Sequence, residues 1–265
     1  EGAFYINNLL FDIIADVTIL NIKEGTRAIA TNVFYGTNMS ELTVPKSVEY
    51  LKTGVFAGMQ ALEKLTIPFA GEEWGKRGNL QDLFRDNVPS TLKEVTVTNE
   101  TVIYQNTYFR CSSIEKLSYT QPLERIEERS FSDCTNLTTF GYGGDLESWC
   151  DFEYALRLTH LTVLIDGEEL QGELVLPSDL TEIKDYAFNG FDKITSVTLP
   201  ASVRVIGDGA FRDCSALKTI VLPDNLQEIG FSAFSGTAIE SIVLPKSLKE
   251  IGSDAFMDCY YLTGV

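Results

Sequence analysis

The feature that most limits what this chain can fold into is a repeat of about 22 residues, a period typical of stacked-coil architectures. Four segments, Leu174-Val175-Leu176-Pro177, Val197-Thr198-Leu199-Pro200, Ile220-Val221-Leu222-Pro223 and Ile242-Val243-Leu244-Pro245, place proline at intervals of 23, 23 and 22. Six residues after each proline stands Ile183, Ile206, Ile229 or Ile251, and five further on Phe188, Phe211, Phe234 or Phe256. The same pair recurs earlier as Ile29/Phe34, Leu51/Phe56, Ile103/Tyr108 and Ile126/Phe131. Cys111, Cys134, Cys214 and Cys259 each follow an aromatic by three positions, and Ile114, Leu137, Leu217 and Leu262 follow those by three more. Two units are one residue shorter, so Phe34 leads to Met39 and Phe234 to Ile239. All eight prolines (45, 68, 89, 122, 177, 200, 223, 245) fall at or near a strand-end slot, Pro122 being displaced by two residues.

Each unit has a physical reading. The alternation in Ile220-Val221-Leu222 predicts a short strand with Ile220 and Leu222 inward and Val221 outward. Pro223 ends it, because proline cannot donate to a continuing ladder. A second extended piece leads to Ile229, after which Gly230, like Gly207 and Gly252, is expected to permit a sharp bend. The stretch holding Asp208, Ala210, Phe211 and Cys214 has i, i+3 spacing and predicts one helical turn capped by the acid. One unit buries too few side chains to offset the ordering of its backbone. Stacked units share buried faces and pair their strands into a parallel sheet, which predicts a solenoid.

The unit Val197–Leu217 carries the pattern Pro-x-x-Val/Leu-x-x-Ile-Gly-x-x-Ala-Phe-x-x-Cys-x-x-Leu, Ile220–Phe234 carries it as far as Phe, and the repeat resembles the BspA-type bacterial leucine-rich repeat from about residue 19 onward. The resemblance implies an α/β repeat: a right-handed leucine-rich-repeat solenoid with a parallel β-sheet on its concave face and short helical turns and loops on its convex face. It also implies a secreted or cell-surface, non-enzymatic adhesion module that binds proteins, with no shared catalytic residues. Residues 1–265 are expected to form a single domain with irregular insertions at 69–88 and 141–173. In the first, Leu80–Phe84 predicts a helical turn. In the second, Leu146–Tyr154 predicts a helix, Leu161–Ile165 a strand and Asp166-Gly167 a tight hairpin turn.

Composition narrows the function. Thirty-eight acids against 21 bases give a formal charge of -17, which argues against nucleic acid, whose phosphates require Lys and Arg, and against anionic membranes. No apolar run approaches the roughly 20 residues of a membrane-spanning helix. The chain opens with Glu1 rather than Met, which suggests removal of an upstream segment, and it stops at Val265 with no polar cap after Leu262, which suggests further polypeptide or a covering molecule.

Candidate sites are few. The cysteines are expected to stack as small buried side chains. Cys111 and Cys134, in adjacent rungs, lie within Cα range of a disulfide, whereas Cys214 and Cys259 are two rungs apart. No paired spacing supports a metal, and no cofactor is implied. His160 reads as a structural histidine, since nothing marks Ser148 or Cys150 as its nucleophile. The pairs Glu72-Glu73, Glu127-Glu128 and Glu168-Glu169 read as solvated. Gly141-Tyr142-Gly143-Gly144 lacks a phosphate-loop context and reads as a flexible turn. Trp74 and Trp149 are candidate glycan-stacking platforms or core covers. The candidate partner-binding surface is the outward strand column Thr43, Thr66, Thr96, Ser118, Val175, Thr198, Val221 and Val243, which also suits plain β-propensity. Glu41, Lys64, Glu94, Lys116, Glu173 and Glu240 flank it as a polar rim. Three readings follow: a module that binds a host or neighbouring-cell surface protein, a structural spacer in a larger surface protein, or a glycan-binding or carbohydrate-active unit centred on the irregular stretches.

Overall fold

The computed structural model describes residues 2–14, 16–85, 87–154 and 161–264. It contains two compact units, Glu1–Gly143 and Gly144–Val265. The first holds β1 (Ala3–Ile6), β2 (Leu9–Ile13), β3 (Ile19–Asn21), β4 (Ala28–Ile29), β5 (Glu41–Thr43), β6 (Lys64–Ile67), α1 (Leu80–Leu83), β7 (Glu94–Val97), β8 (Val102–Ile103), β9 (Lys116–Tyr119), β10 (Arg125–Ile126) and β11 (Thr139–Tyr142). The second holds α2 (Leu146–Asp151), β12 (Glu153–Tyr154), β13 (Thr162–Ile165), β14 (Glu168–Glu169), β15 (Gly172–Val175), β16 (Glu182–Ile183), β17 (Ile194–Thr198), β18 (Val205–Ile206), β19 (Thr219–Val221), β20 (Glu228–Ile229) and β21 (Glu250–Ile251).

In the first unit β3, β5, β6, β7, β9 and β11 pair in parallel, so Leu20, Leu42, Leu65, Val95, Leu117 and Phe140 form one buried row. In the second unit β15, β17 and β19 align Leu174, Val197 and Ile220 in the same way. There a second ladder, β16, β18, β20 and β21, aligns Ile183, Ile206, Ile229 and Ile251. The strand expected at 242–244 does not form. Glu240 N reaches the preceding coil only at 3.4 Å, while Ile242 N turns to Gly264 O at 3.1 Å, leaving a single bridge between Ser241 and Gly264.

Beyond the second ladder the aromatics stack as expected. In the second unit Phe188, Phe211, Phe234 and Phe256 lie at successive centroid distances of 5.5, 5.7 and 5.4 Å, with interplanar angles of 9°, 3° and 10°. In the first unit Phe34 and Phe56 lie 5.8 Å apart, and Phe56 and Phe84 5.5 Å apart. Phe84 therefore occupies an aromatic slot, and Phe56 N donates to Leu83 O at 2.9 Å. The first irregular stretch is a long loop followed by an ordinary coil segment, not an insertion throughout.

The predicted helical turn is a series of tight turns instead. Two residues before and two after the aromatic, the backbone takes positive φ: Asn32 and Gly36 around Phe34, Gly209 and Asp213 around Phe211, Asp254 and Asp258 around Phe256. Such a path makes no i to i−4 ladder: the amides beside the ring close i−3 turns, as Ala210 N does to Gly207 O at 3.3 Å and Arg212 N to Gly209 O at 3.0 Å, and the aromatic amides bond outward to the next coil. Phe188 N donates to Ala210 O, Phe211 N to Ala233 O and Phe234 N to Ala255 O, each at 2.8 Å. The acid does not cap its own coil either. Asp185 Oδ1 accepts from Asp208 N at 2.8 Å, and Asp208 Oδ1 accepts from Phe231 N at 2.6 Å.

The glycine after each isoleucine serves close approach, not a bend. None of Gly207, Gly230 and Gly252 has positive φ, yet a Cβ on Gly230 would stand 2.6 Å from Asp208 N and from Gly207 C of the preceding coil. Pro89 is also displaced from its expected role. It opens the turn before β7, its carbonyl accepting from Leu92 N at 3.1 Å, and ends no strand.

Other local expectations are revised by geometry. The helix at 146 stops at Asp151, where Phe152 turns to extended backbone. Gly141 and Tyr142 lie in β11 and not in a flexible turn, because a side chain at 141 would strike Ser118 Oγ at 2.7 Å. Asp166 and Gly167, with φ of 50° and 80°, close the expected hairpin between β13 and β14. An additional hairpin, β1 with β2, turns at Asn7 and Asn8 (φ 49° and 64°).

Candidate partner-binding surface

The outward residues of the paired strands occupy one face by pleat alternation. In the first unit the register places Thr43, Thr66, Thr96 and Ser118 in one row, all half-buried. Two residues earlier runs a row of alternating charge, Glu41, Lys64, Glu94 and Lys116, in which Lys64 Nζ lies 3.7 Å from Glu94 Oε1. In the second unit the corresponding row is open and carries valine at two of its three strand positions. Val175 is 60% exposed, Thr198 is exposed and bonds Glu173 Oε1 at 3.1 Å, and Val221 is 78% exposed. Val243, in the coil that forms no strand, is 83% exposed. A cavity of about 450 Å³ lies between residues 219–222 and 241–245, lined by Val221, Val243 and Pro245 among others. Glu240, which precedes this last coil, is also exposed.

The cysteines form a ladder of a different kind from a disulfide. All five are free thiols. Cys134 Sγ donates to Tyr108 O at 2.9 Å, Cys214 Sγ to Phe188 O at 3.0 Å and Cys259 Sγ to Phe234 O at 3.1 Å. Each of these three thiols thus bonds the carbonyl of the aromatic one coil earlier, whereas Cys111 Sγ bonds Phe109 O of its own coil at 3.8 Å. In the two shortened units threonine takes the slot, Thr37 Oγ1 donating to Phe34 O at 2.9 Å and Thr237 Oγ1 lying 3.3 Å from Cys259 Sγ. Burial pushes the Cys134 thiol up to about 11 and the Cys150 thiol up to about 12, and holds Cys111 and Cys214 well above the usual range. These are structural thiols, too weakly ionised to act as nucleophiles.

The remaining candidates separate by environment. Trp149 is 1% exposed, its Nε1 donating to Ala187 O at 3.0 Å, so it covers core and offers no platform for a glycan. Trp74 is 57% exposed, its Nε1 bonded to Asn99 O at 2.7 Å. His160 lies outside the described residues. Ser148 N and Oγ donate to Asp145 Oδ1 at 2.9 and 2.8 Å within a helix cap, and these bonds, the backbone one first, hold the Asp145 carboxyl below the usual range. No group of three His, Cys, Asp or Glu side chains among the described residues is placed to hold a metal ion.

One buried group had no announcement in the sequence. Glu100 is 4% exposed and its Oε2 accepts from Ala70 N at 3.1 Å, beside the buried Tyr108–Tyr119 hydroxyl pair, whose oxygens are 2.8 Å apart. Burial, against the opposing effect of the Ala70 bond, raises its carboxyl to about 7. Glu100 pins the start of the 69–79 loop. Trp74, Tyr104 (to Gly75 O, 2.9 Å) and the Arg77–Glu127 pair (3.3 Å) fasten the rest.

No functionally curated protein is similar to the chain. Among solved structures, a leucine-rich cell surface protein of Faecalibacterium prausnitzii shares 19% identity, covering 99% of this chain and 87% of that one, with a TM-score of 0.47. A leucine-rich repeat protein of Bacteroides ovatus shares 19% identity over 93% of this chain and 77% of that one, with a TM-score of 0.40. The pneumococcal vaccine antigen PcpA shares 18% identity over 99% and 69%, with a TM-score of 0.45. The repeat itself decides the matter. Six copies of the BspA type leucine-rich repeat region match residues 2–78, 81–165 and 166–263, and the chain belongs to that family.

Proposed function

We propose that the chain is a non-enzymatic protein-binding module of a secreted or cell-surface bacterial protein, its coils forming one right-handed solenoid domain. The ligand, a surface protein of a host or neighbouring cell, docks on the open face of the sheet, taken as the concave one. The observation that carries this reading is the exposure of Val175, Val221 and Val243. Three exposed valines, with Thr198 between the first two, present apolar surface in a chain of charge -17, and apolar surface of this kind is characteristic of interaction sites. Glu173, which accepts from Thr198 in the column, supplies a polar flank, as interfaces have. Family membership supports a binding role over catalysis, and among the described residues no helix is long and apolar enough to cross a membrane.

The test is capture of surface proteins by the immobilised chain and by a variant carrying Thr198→Glu, Val221→Glu and Val243→Lys. All three side chains are exposed, so the variant is expected to melt like the parent and to lose the captured partner. Equal capture by both proteins removes the sheet face from consideration, and capture by neither leaves the spacer reading.

A further inference from the structure

On the first unit, away from the sheet face, a cavity of about 330 Å³ is built from three successive coils. Ser90 and Lys93 come from the coil entering β7, Arg110, Ser112 and Ser113 from the coil entering β9, and Asn136 from the coil entering β11. The described residues that line it are neutral or basic, and the acids Glu115 and Asp133 lie beside its two cations. Both cations have neighbours that orient them. Arg110 lies against the Phe109 ring, its Cζ 4.8 Å from the centroid, and its Nε is 3.8 Å from Asp133 Oδ2, longer than a hydrogen bond. Lys93 Nζ is steadied by Glu115 Oε1 at 2.9 Å. Asn136 is fixed through Nδ2, which donates to Ser112 O at 2.8 Å and so ties two coils together across the cavity floor.

We propose that this cavity binds an acidic sugar, a hydroxylated ring bearing a carboxylate. The guanidinium fork of Arg110 is the side chain suited to a planar carboxylate. Three serine hydroxyls and the Asn136 amide offer both donors and acceptors, which ring hydroxyls require and a bare anion does not. A cavity of this volume falls within the size range of small-molecule sites. The site shares no residue with the open sheet face, so either assignment stands without the other.

The probe is sodium glucuronate, with glucose and sodium acetate as the two half-ligands, read by amide chemical shifts of the intact chain. Glucuronate is expected to shift Ser112, Ser113 and Asn136 saturably, with glucose and acetate each at least about tenfold weaker. Arg110→Asn and Lys93→Met are each expected to weaken glucuronate by about tenfold, and added salt to weaken it further. Arg110 has φ of 57°, which asparagine also adopts, so the first variant keeps its turn and an unchanged melting curve verifies it. Absence of saturable shifts, acetate binding as tightly as glucuronate, or binding unaffected by either substitution overturns the proposal.

Discussion

Phe211 stands in the middle of the most regular part of the ladder, and its replacement measures what stacking contributes. The ring is fully buried and lies between Phe188 at 5.5 Å and Phe234 at 5.7 Å, nearly parallel to both. Truncation to alanine removes the transfer term and leaves a cavity, about 3–5 kcal/mol. Two ring–ring contacts add about 0.5–1.5 kcal/mol each. The sum approaches the whole stability of an ordinary domain, about 5–15 kcal/mol, so Phe211→Ala is expected to be partly unfolded at 37 °C. Phe211→Leu keeps most of the apolar volume and isolates the stacking part, about 1–3 kcal/mol for two contacts. Phe256 contacts Phe234 alone among the described rings of the ladder, so Phe256→Leu is expected to cost about half as much. Urea unfolding followed by circular dichroism supplies midpoint and slope, both of which matter because stacked arrays can lose cooperativity. A double-mutant cycle on Phe211 and Phe234 is expected to give a coupling of about 0.5–1.5 kcal/mol. Additive effects, or a Phe211→Leu cost no larger than that of Phe256→Leu, refute the idea that the rings stabilise one another across coils.

Three further outcomes follow from particular contacts. Gly230→Ala forces a methyl into the backbone of the preceding coil at 2.6 Å, and is expected to lower stability by about 1–3 kcal/mol in thermal or urea unfolding; a neutral result means the coils do not approach so closely. Glu100, whose carboxyl burial raises from 4.5 to about 7, holds its proton more tightly folded than unfolded, so its contribution to stability is fully present below pH 4.5 and is lost as pH rises through 7. Glu100→Gln is expected to remove that slope and to gain up to about 3 kcal/mol at pH 8 with no gain at pH 4, whereas parallel pH profiles contradict the assignment. Buried Cys111, Cys150 and Cys214 are expected to resist a thiol reagent at pH 8 until the chain is unfolded, when all five cysteines react; prompt labelling of those three in the native protein contradicts their burial.

Much of the fold is legible because the repeat writes the same slot many times. Ile206 and Phe211 recur at fixed spacing, so their inward role and their stacking follow from the sequence. The turn around the aromatic was misread because Asp208, Ala210 and Phe211 share i, i+3 spacing with a helix. The contrary signal was present: glycine, asparagine or aspartate fills most of the places two before and two after the ring, as at Asn32 and Gly36 or Gly209 and Asp213. These residues tolerate left-handed backbone, and a helix has no use for them. Asn7-Asn8 between apolar segments marked the first hairpin for the same reason. Other features depend on what one coil meets in the next. The role of Gly230 is set by Asp208 N, that of Glu100 by Ala70 N thirty positions earlier, and that of Trp149 by Ala187 O. The sheet-face column was located from alternation alone, but its contrast between half-buried Thr66 and open Val221 depends on the neighbours each unit supplies.

The central physical point is that the amide of the aromatic residue itself bonds to the coil ahead and not to its own. Scalar couplings across hydrogen bonds, measured by NMR on deuterated protein, test it bond by bond. The account predicts couplings from Phe188 N–H to the Ala210 carbonyl, from Phe211 N–H to Ala233 and from Phe234 N–H to Ala255. Couplings from those same amides to carbonyls three or four residues back in their own coil contradict it.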